Sequence, residues 1–388
     1  MPKRILETFT VEWMQILDET GKVDAKLMPR LSKQDVRKMY ELMVLTRVFD
    51  DKAFKLQRQG RMGTHAQSLG QEASQVGSAF AMQSNDWVFP SFREHGVYIT
   101  RGMPIAQYFL YWSGDQRGMG IPQNLNMFTV SIAVGTHIPH AVGCAWAMKL
   151  QHEKAVTIVY FGDGATSKGD FHEAMNFAGV LKAPCVFICQ NNHWAISVPV
   201  NKQTAAATLA QKAIGYGFSG IRVDGNDVFA VYAATKSALE KARKGGGPTM
   251  IECLTYRIGD HTTADDAKRY RSEEEVEIWR KRDPILRLEK YMLKEKMLTA
   301  KEKEKIWADA DSRVEEAVKE FELMSRPKPE DMFRFVYARM PPELEEQYNE
   351  ATGIAITEKP AETKQESKDE DEQETDDSDD TDDIVHAQ

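Results

Sequence analysis

A doubly wound, parallel α/β sheet with helical extensions at its N- and C-terminal ends is expected of this chain, for three reasons. Short apolar, β-branched runs recur through its middle without polar alternation, as in strands buried on both faces. Amphipathic stretches of helical period separate them. Two of the runs end in small polar motifs of the kind that open α/β sheets present at the carboxyl ends of their strands.

Taken in chain order, the stretch from about Ser32 to Gly60 comes first. Val36, Met39, Tyr40, Met43, Val44, Val48 and Phe49 recur at helical spacing there, which predicts one amphipathic helix. Trp87-Val-Phe89 reads as a short strand. Further strands are expected near Ala155–Phe161, Val186–Gln190, Gly220–Val223 and Thr249–Thr255, alternating with helices near Lys168–Leu181, Leu209–Gly215 and Val228–Lys244. Gly245-Gly-Gly-Pro248 ends the last of these helices. Beyond Arg271 the chain turns helical and charged, and Ser272-Glu-Glu-Glu275 and Thr299-Ala-Lys-Glu302 both read as capping boxes. Pro341-Pro342 closes the globule. The expected organisation is an N-terminal helical extension over 1–60, an α/β domain with a helical C-terminal part over 61–340, and a tail over 341–388.

The 388 residues carry a net charge of −9, and the distribution matters more than the total. Glu358 to Gln388 holds 14 acidic residues and three lysines, a net −11, so the rest of the chain is close to neutral. Self-repulsion and the near-absence of apolar residues predict disorder from 358 onward. No basic stripe with interleaved aromatics speaks for nucleic acid. The apolar runs fall short of the roughly 20 residues that span a bilayer, and the N-terminus has no signal-peptide core, so a cytoplasmic protein is expected. Cys144, Cys185, Cys189 and Cys253 form no Cys-x-x-Cys, and three of them fall in expected strands, which points to reduced core thiols.

The chemistry is carried by Phe161-Gly-Asp-Gly164 and, 26 intervening residues later, Asn191-Asn192. Gly162 and Gly164 allow a turn out of the strand and keep side chains away from an anion, while a following helix start offers N–H groups and a positive dipole end. A lone Gly-Asp-Gly also makes ordinary strand-to-helix turns. The second motif, at the end of the neighbouring expected strand, brings Asn192 toward Asp163. One carboxylate, one amide oxygen, a carbonyl and two phosphate oxygens suit Mg2+.

Further segments accompany this pair: Arg58-Gln-Gly-Arg61, Gly70-Gln-Glu-Ala73, Phe92-Arg-Glu-His-Gly96, Ile138-Pro-His-Ala-Val-Gly143, Gly169-Asp-Phe171, Asn191-Asn-His-Trp-Ala-Ile-Ser197 and Tyr256-Arg-Ile-Gly-Asp-His261. In this order, from about Thr46 to about Tyr337, the chain resembles the α subunit of the decarboxylating first component of 2-oxo acid dehydrogenase complexes. That family includes the pyruvate and branched-chain 2-oxo acid dehydrogenases.

The resemblance implies a sheet of the thiamine diphosphate-binding type, with thiamine diphosphate and Mg2+ as cofactors. It implies Asp163, Asn192 and the main-chain carbonyl of Trp194, where the family usually has Tyr, as metal ligands. Phe92, Arg93 and the backbone N–H groups of Gly164 and Ala165 are implied at the diphosphate, and Ile132 and Val134 beside the aminopyrimidine. His261 matches the histidine of the active-site loop, which touches the diphosphate and assists transfer to the lipoyl group. Asp260 departs from the His or Pro of relatives, and a carboxylate beside His261 is able to raise its pKa, a point the sequence leaves open. His65, Ser68, Leu69 and Phe92 are expected near the acyl pocket, and His137, His140 and His193 in structural places. The implied partners are a β subunit that completes the site in an α2β2 heterotetramer and a lipoyl-bearing acyltransferase component. The implied reaction is oxidative decarboxylation of a 2-oxo acid with acyl transfer to the lipoyl group. Residues Arg58 to Ala73 lean toward pyruvate. A branched-chain or acetoin dehydrogenase α subunit would share the cofactor residues. A non-catalytic assembly subunit of the same fold is the reading from another class, and degenerate cofactor ligands would favour it.

Overall fold

A computed structural model describes residues 3–334 and 336–354, so the acidic stretch from 358 lies outside the described residues. The elements run β1 (Glu12–Met14), α1 (Lys33–Arg58), α2 (Glu72–Phe80), β2 (Trp87–Phe89), α3 (His95–Arg101), α4 (Ile105–Trp112), α5 (His137–Leu150), β3 (Thr157–Gly162), α6 (Gly169–Leu181) and β4 (Cys185–Asn191). They continue with β5 (Trp194–Ala195), β6 (Val198–Pro199), α7 (Val200–Gln203), β7 (Ser219–Asp224), α8 (Val228–Arg243), β8 (Thr249–Leu254), α9 (Glu273–Arg280), α10 (Pro284–Lys294), α11 (Ala300–Leu323) and α12 (Pro342–Thr352).

Six strands form one sheet in the order β1-β7-β8-β4-β3-β2, and every neighbouring pair is parallel. The period of two sends adjacent side chains to opposite faces. In β3, Ile158 and Tyr160 join Val186, Ile188 and Ile251 in a core shared with α1, α2 and α8. Val159 and Phe161 join Phe187, Cys189 and Met250 in a second core closed by α5 and α6. Both faces are therefore covered, which is why Ile158–Phe161 of β3 and Cys185–Cys189 of β4 are apolar without a break. Cys185, Cys189 and Cys253 are buried free thiols within these strands, and Cys144 on α5 is half-buried.

Four local features differ from expectation. β1 adds a strand to a segment expected to be helical. It is three residues long, with Glu12 and Trp13 exposed, and its place comes from distant groups. The Asp227 carboxylate accepts from the N–H groups of Ile16 at 2.5 Å and Leu17 at 2.7 Å, and Arg287 donates to the Leu17 carbonyl at 3.0 Å. Residues Ala210–Tyr216 form a 3-10 helix where an α-helix was expected, and it ends on Gly217 at a φ of 80°. The Ser272 box is only half built: Ser272 Oγ accepts from Glu275 N–H, but the Glu275 carboxylate accepts the Trp194 indole N–H at 3.2 Å instead of returning to the cap. Thr299 and Glu302 do close theirs, at 2.9 and 3.2 Å. Finally, α12 occupies the start of the expected tail, opening with Pro at its first position.

Residues through Met324 form one compact unit and those from Ser325 a second, in which Phe333 and Tyr348 pack edge to face at 5.7 Å. Among the described residues, no helix is long and apolar enough to cross a membrane.

Glu252, fully buried on β8, ties three elements together. Its carboxylate accepts from Asn191 Nδ2 at 2.7 Å, from Arg222 on β7 at 2.8 Å and from the Ala210 N–H at 2.9 Å. Removing one partner of such a buried pair leaves the others unsatisfied. Glu252→Ala is expected to lower stability by about 3–5 kcal/mol in urea unfolding, against under about 0.5 kcal/mol for Glu240→Ala at an exposed pair.

Candidate active site

The register of β3 on β4 sets Gly162 opposite Gln190, so the two motifs leave the sheet side by side. A cavity of about 240 Å³ opens there. Its walls include Phe92, Arg93, Val134, Asp163, Gly164, Ala165, Asn192, Trp194 and His261, nine of the ten residues singled out in the sequence, together with Gln71, Glu94, Gln190 and Arg257. Ile132 is not on the wall and is 57 % exposed.

Asp163 and Asn192 bring oxygen donors to the cavity. Asp163 is buried at the end of β3 and burial pushes its carboxyl up, opposed by hydrogen bonds from Gln203 and from the Asn192 backbone and by the charge of Arg257. The Gln203 amide donates to Asp163 Oδ2 at 2.5 Å and to the Val198 carbonyl at 3.0 Å, so α7 holds the carboxylate from the side. Asn192 Oδ1 accepts the Trp194 N–H at 3.3 Å, while Asn192 Nδ2 donates to Gln71 Oε1 at 3.2 Å. Asn191 is anchored to Glu252 and His193 takes a φ of 72°, which folds the backbone back over Asn192. A buried carboxylate, an amide oxygen and the Trp194 carbonyl make an all-oxygen set that fits Mg2+ and would favour the charged form of Asp163. Trp194 is fixed by its indole bond to Glu275 and by its ring against Tyr270 at 5.3 Å.

Two guanidiniums also line the cavity. Arg93 and Arg257, both buried, converge on the same imidazole: Arg93 Nη2 and Arg257 Nη1 each lie 3.1 Å from His261 Nδ1. Arg93 also donates to the His261 carbonyl at 2.8 Å and to the Gln67 carbonyl at 2.5 Å, and Arg257 to the carbonyls of Ile196 at 2.9 Å and Trp194 at 3.3 Å. Burial and the neighbouring Arg257 bring Arg93 down to about 9, so an anion between the two guanidiniums would relieve both costs. Gly162 has open space where a Cβ would stand, and a Cβ on Gly164 would lie 2.8 Å from that of Ala195. Gly164 is therefore required by the close approach of Ala195, whereas nothing in the chain crowds Gly162. The expected helix start beside them is a 3-10 turn, Asp163–Ser167, with α6 beginning only at Gly169.

His261 departs from expectation. Asp260 does not raise its pKa, because the Asp260 carboxylate accepts the Ala267 N–H at 3.0 Å. Burial, then Arg93 and Arg257, lower His261 to about 3. Nδ1 faces two obligate donors, so the ring is neutral with its proton on Nε2. Asp265 accepts from the His261 N–H at 2.9 Å and from the Tyr270 hydroxyl, closing the loop.

Glu94, fully buried on the cavity wall, is pushed up to about 7 by burial. It accepts from Gln190 Nε2 at 2.7 Å, and Gln75 Nε2 reaches Gln190 Oε1 at 3.0 Å and the Arg93 carbonyl at 2.9 Å. His65 and Ser68 do not line the cavity: both are fully buried and hydrogen-bonded to Asp50, and Leu69 packs beside Tyr256 and Trp279. His137 bonds the Tyr160 carbonyl at 2.7 Å and His193 packs on Tyr256 and Trp279, both structural places. Gln71, Glu94, Gln190, Gln203 and Arg257 were not singled out in the sequence. Gln71, Glu94 and Arg257 lie inside quoted segments, and a charged or amide side chain within an apolar strand-end motif was the available signal.

Residues 40–330 match the family described as dehydrogenase E1 component. The chain is 42 % identical over 339 residues to the pyruvate dehydrogenase E1 component subunit alpha of Bacillus cereus, a match covering 87 % of this chain and 91 % of that one. It is 43 % identical over 355 residues to the 3-methyl-2-oxobutanoate dehydrogenase subunit alpha of Mycobacterium tuberculosis, covering 89 % and 95 %. The Bacillus subtilis pyruvate dehydrogenase E1 component subunit alpha matches at 42 % over 336 residues, covering 86 % and 91 %.

Two measurements probe this geometry. Burial raises the Glu94 carboxyl above its unfolded value, so the folded state holds the extra proton, and the associated stability is complete at low pH and lost as pH rises through about 7. Glu94→Gln is therefore expected to gain on the parent by about 2 kcal/mol between pH 5 and pH 8 in unfolding experiments. Gln203→Ala is expected to weaken Mg2+ binding about tenfold, read by titration calorimetry, since it frees the Asp163 carboxylate to rotate at a cost typical of a hydrogen bond to a charged group.

Proposed function

Because the chain belongs to the dehydrogenase E1 component family, we propose that it is the α subunit of a thiamine diphosphate-dependent 2-oxo acid dehydrogenase. It takes part in oxidative decarboxylation of a 2-oxo acid and in delivery of the acyl group to a lipoyl group. The observation that carries the reading is the convergence of Asp163, Asn192, Arg93 and His261 on one cavity at the carboxyl ends of β3 and β4. These groups are intact, which weighs against a non-catalytic assembly subunit.

Asp163, Asn192 and the Trp194 carbonyl would hold Mg2+, and Arg93, Arg257 and the Gly164 and Ala165 N–H groups the diphosphate. When bound, thiamine diphosphate supplies a carbon nucleophile for the ketone and a sink for the electrons left by departing carbon dioxide. The chain's own part is position and charge. Gln203 and Gln71 hold the two metal-ligand side chains in place. Phe92 stands edge-on to the His261 ring at 6.1 Å. His261, neutral and protonated on Nε2, is a hydrogen-bond donor to charge developing on an acyl oxygen and holds its proton across the physiological range.

A partner is part of the proposal. Val134 and Ile196 on the cavity wall are 43 % and 55 % exposed, and Trp146 on α5 stands edge to face with Phe177 on α6, both exposed. Such apolar surface beside a half-lined cavity fits a β subunit that completes the site, in an α2β2 heterotetramer serving a lipoyl-bearing acyltransferase in the cytoplasm. Pyruvate is favoured as substrate on residues Arg58 to Ala73, and the Mycobacterium tuberculosis relative supports a branched-chain 2-oxo acid as the second reading.

The test is co-expression with the β subunit and thiamine diphosphate-dependent reduction of an artificial acceptor across pyruvate, 2-oxobutanoate, branched-chain 2-oxo acids and acetoin. Activity is expected from the pair and not from the chain alone. Asp163→Ala is expected to abolish cofactor binding, and Glu366→Ala to leave it intact. An assembled pair that binds no thiamine diphosphate would sink the assignment.

A further inference from the structure

Gln71 is fully buried, stands just before the first residue of α2 without capping it, and lies on the cavity wall. Its two amide ends are not interchangeable. The Trp194 N–H is a donor with no alternative role, so the Asn192 atom it meets, at 3.3 Å, is the carbonyl oxygen. Asn192 Nδ2 is thereby turned to Gln71, and the Gln71 atom that accepts it, at 3.2 Å, is Oε1. The chain of orientations leaves Gln71 Nε2 as the remaining end, and that nitrogen is buried without a hydrogen-bond partner. A buried amide N–H₂ left unpaired is destabilising, and this one, unlike most of the unpaired buried atoms, belongs to a residue of the cavity wall.

We infer that Gln71 is a further binding residue, whose free amide donates to an anionic oxygen of what the cavity holds: the diphosphate of the cofactor or the carboxylate of the 2-oxo acid. The inference rests on the function proposed above and adds a donor to it. Gln71 and Asn192 line the same cavity as Arg93 and Arg257, whose guanidiniums give it positive charge. One side chain thus serves twice: its oxygen fixes the Asn192 amide, and its unpaired nitrogen would serve the anion.

Two variants separate the roles in the assembled α/β enzyme. Gln71→Glu keeps an acceptor for Asn192 but replaces the donor with a negative charge. Gln71→Met removes both ends at similar length without adding charge, and the inference is read from it alone should Gln71→Glu fail to assemble. Thiamine diphosphate affinity is measured by quenching of tryptophan fluorescence at saturating Mg2+, and the KM for pyruvate at saturating cofactor. Donation to the diphosphate predicts a cofactor Kd raised about tenfold or more with KM unchanged. Donation to the substrate carboxylate predicts the same rise in KM with cofactor Kd unchanged. Variants that assemble and match the parent in both quantities overturn the inference. A parent pair that binds no thiamine diphosphate overturns the function on which it rests, a result separable from the first.

Discussion

The parallel pairing of β3 with β4 is the constraint on which the site depends. Their register places Gly162 across from Gln190, and the carboxylate of one motif and the amide of the other leave the sheet as neighbours. Nothing in either motif would hold a cation alone. The pairing is secured in turn by packing on both faces, because each strand sends alternate side chains into two separate cores.

Charge is arranged around that edge with opposite signs at opposite ends. Asp163, on one side, is buried against an amide and backbone N–H groups. Arg93 and Arg257, on the other, share the His261 nitrogen and a row of carbonyl oxygens. Each is held in place by neutral dipoles, so the cavity is assembled in advance and retains its field. Preorganisation of this kind reduces the ordering cost that a ligand would otherwise meet on binding. The neutral state of His261 follows from the same arrangement, since two guanidiniums leave no room for a third positive charge.

Much of the fold was legible because burial on both faces writes continuous apolar runs. β3, β4 and β8 stand within a residue or two of expectation for that reason, and so does the half-exposed β7, which lacks such a run. β1 was not legible: three residues, half exposed, carry no pattern, and Asp227 and Arg287 hold it from more than 200 residues away. The site divides along the same line. Asp163 and Asn192 announce themselves by residue type at strand ends. Gln71 lies 121 residues from Asn192, and Gln203 40 from Asp163, so their roles exist only once the chain is folded. Asp260 shows the converse error. It adjoins His261 in sequence, yet its carboxylate serves the Ala267 N–H, and the imidazole is set instead by burial, by Arg93 from 168 residues away and by Arg257 four residues before it.

Glu252 bears on how the chain avoids pairing its strands wrongly. Its neighbours on β8 face different cores, Met250 on one side and Ile251 and Cys253 on the other. A slip of one residue would exchange the two faces and carry the carboxylate from Arg222 and Asn191 into aliphatic surroundings. An ion stranded there costs several kcal/mol, so misregistered sheets are excluded by charge even where their apolar packing would pass. A single acid thus proofreads the alignment of three strands, and the cavity inherits its accuracy from that check.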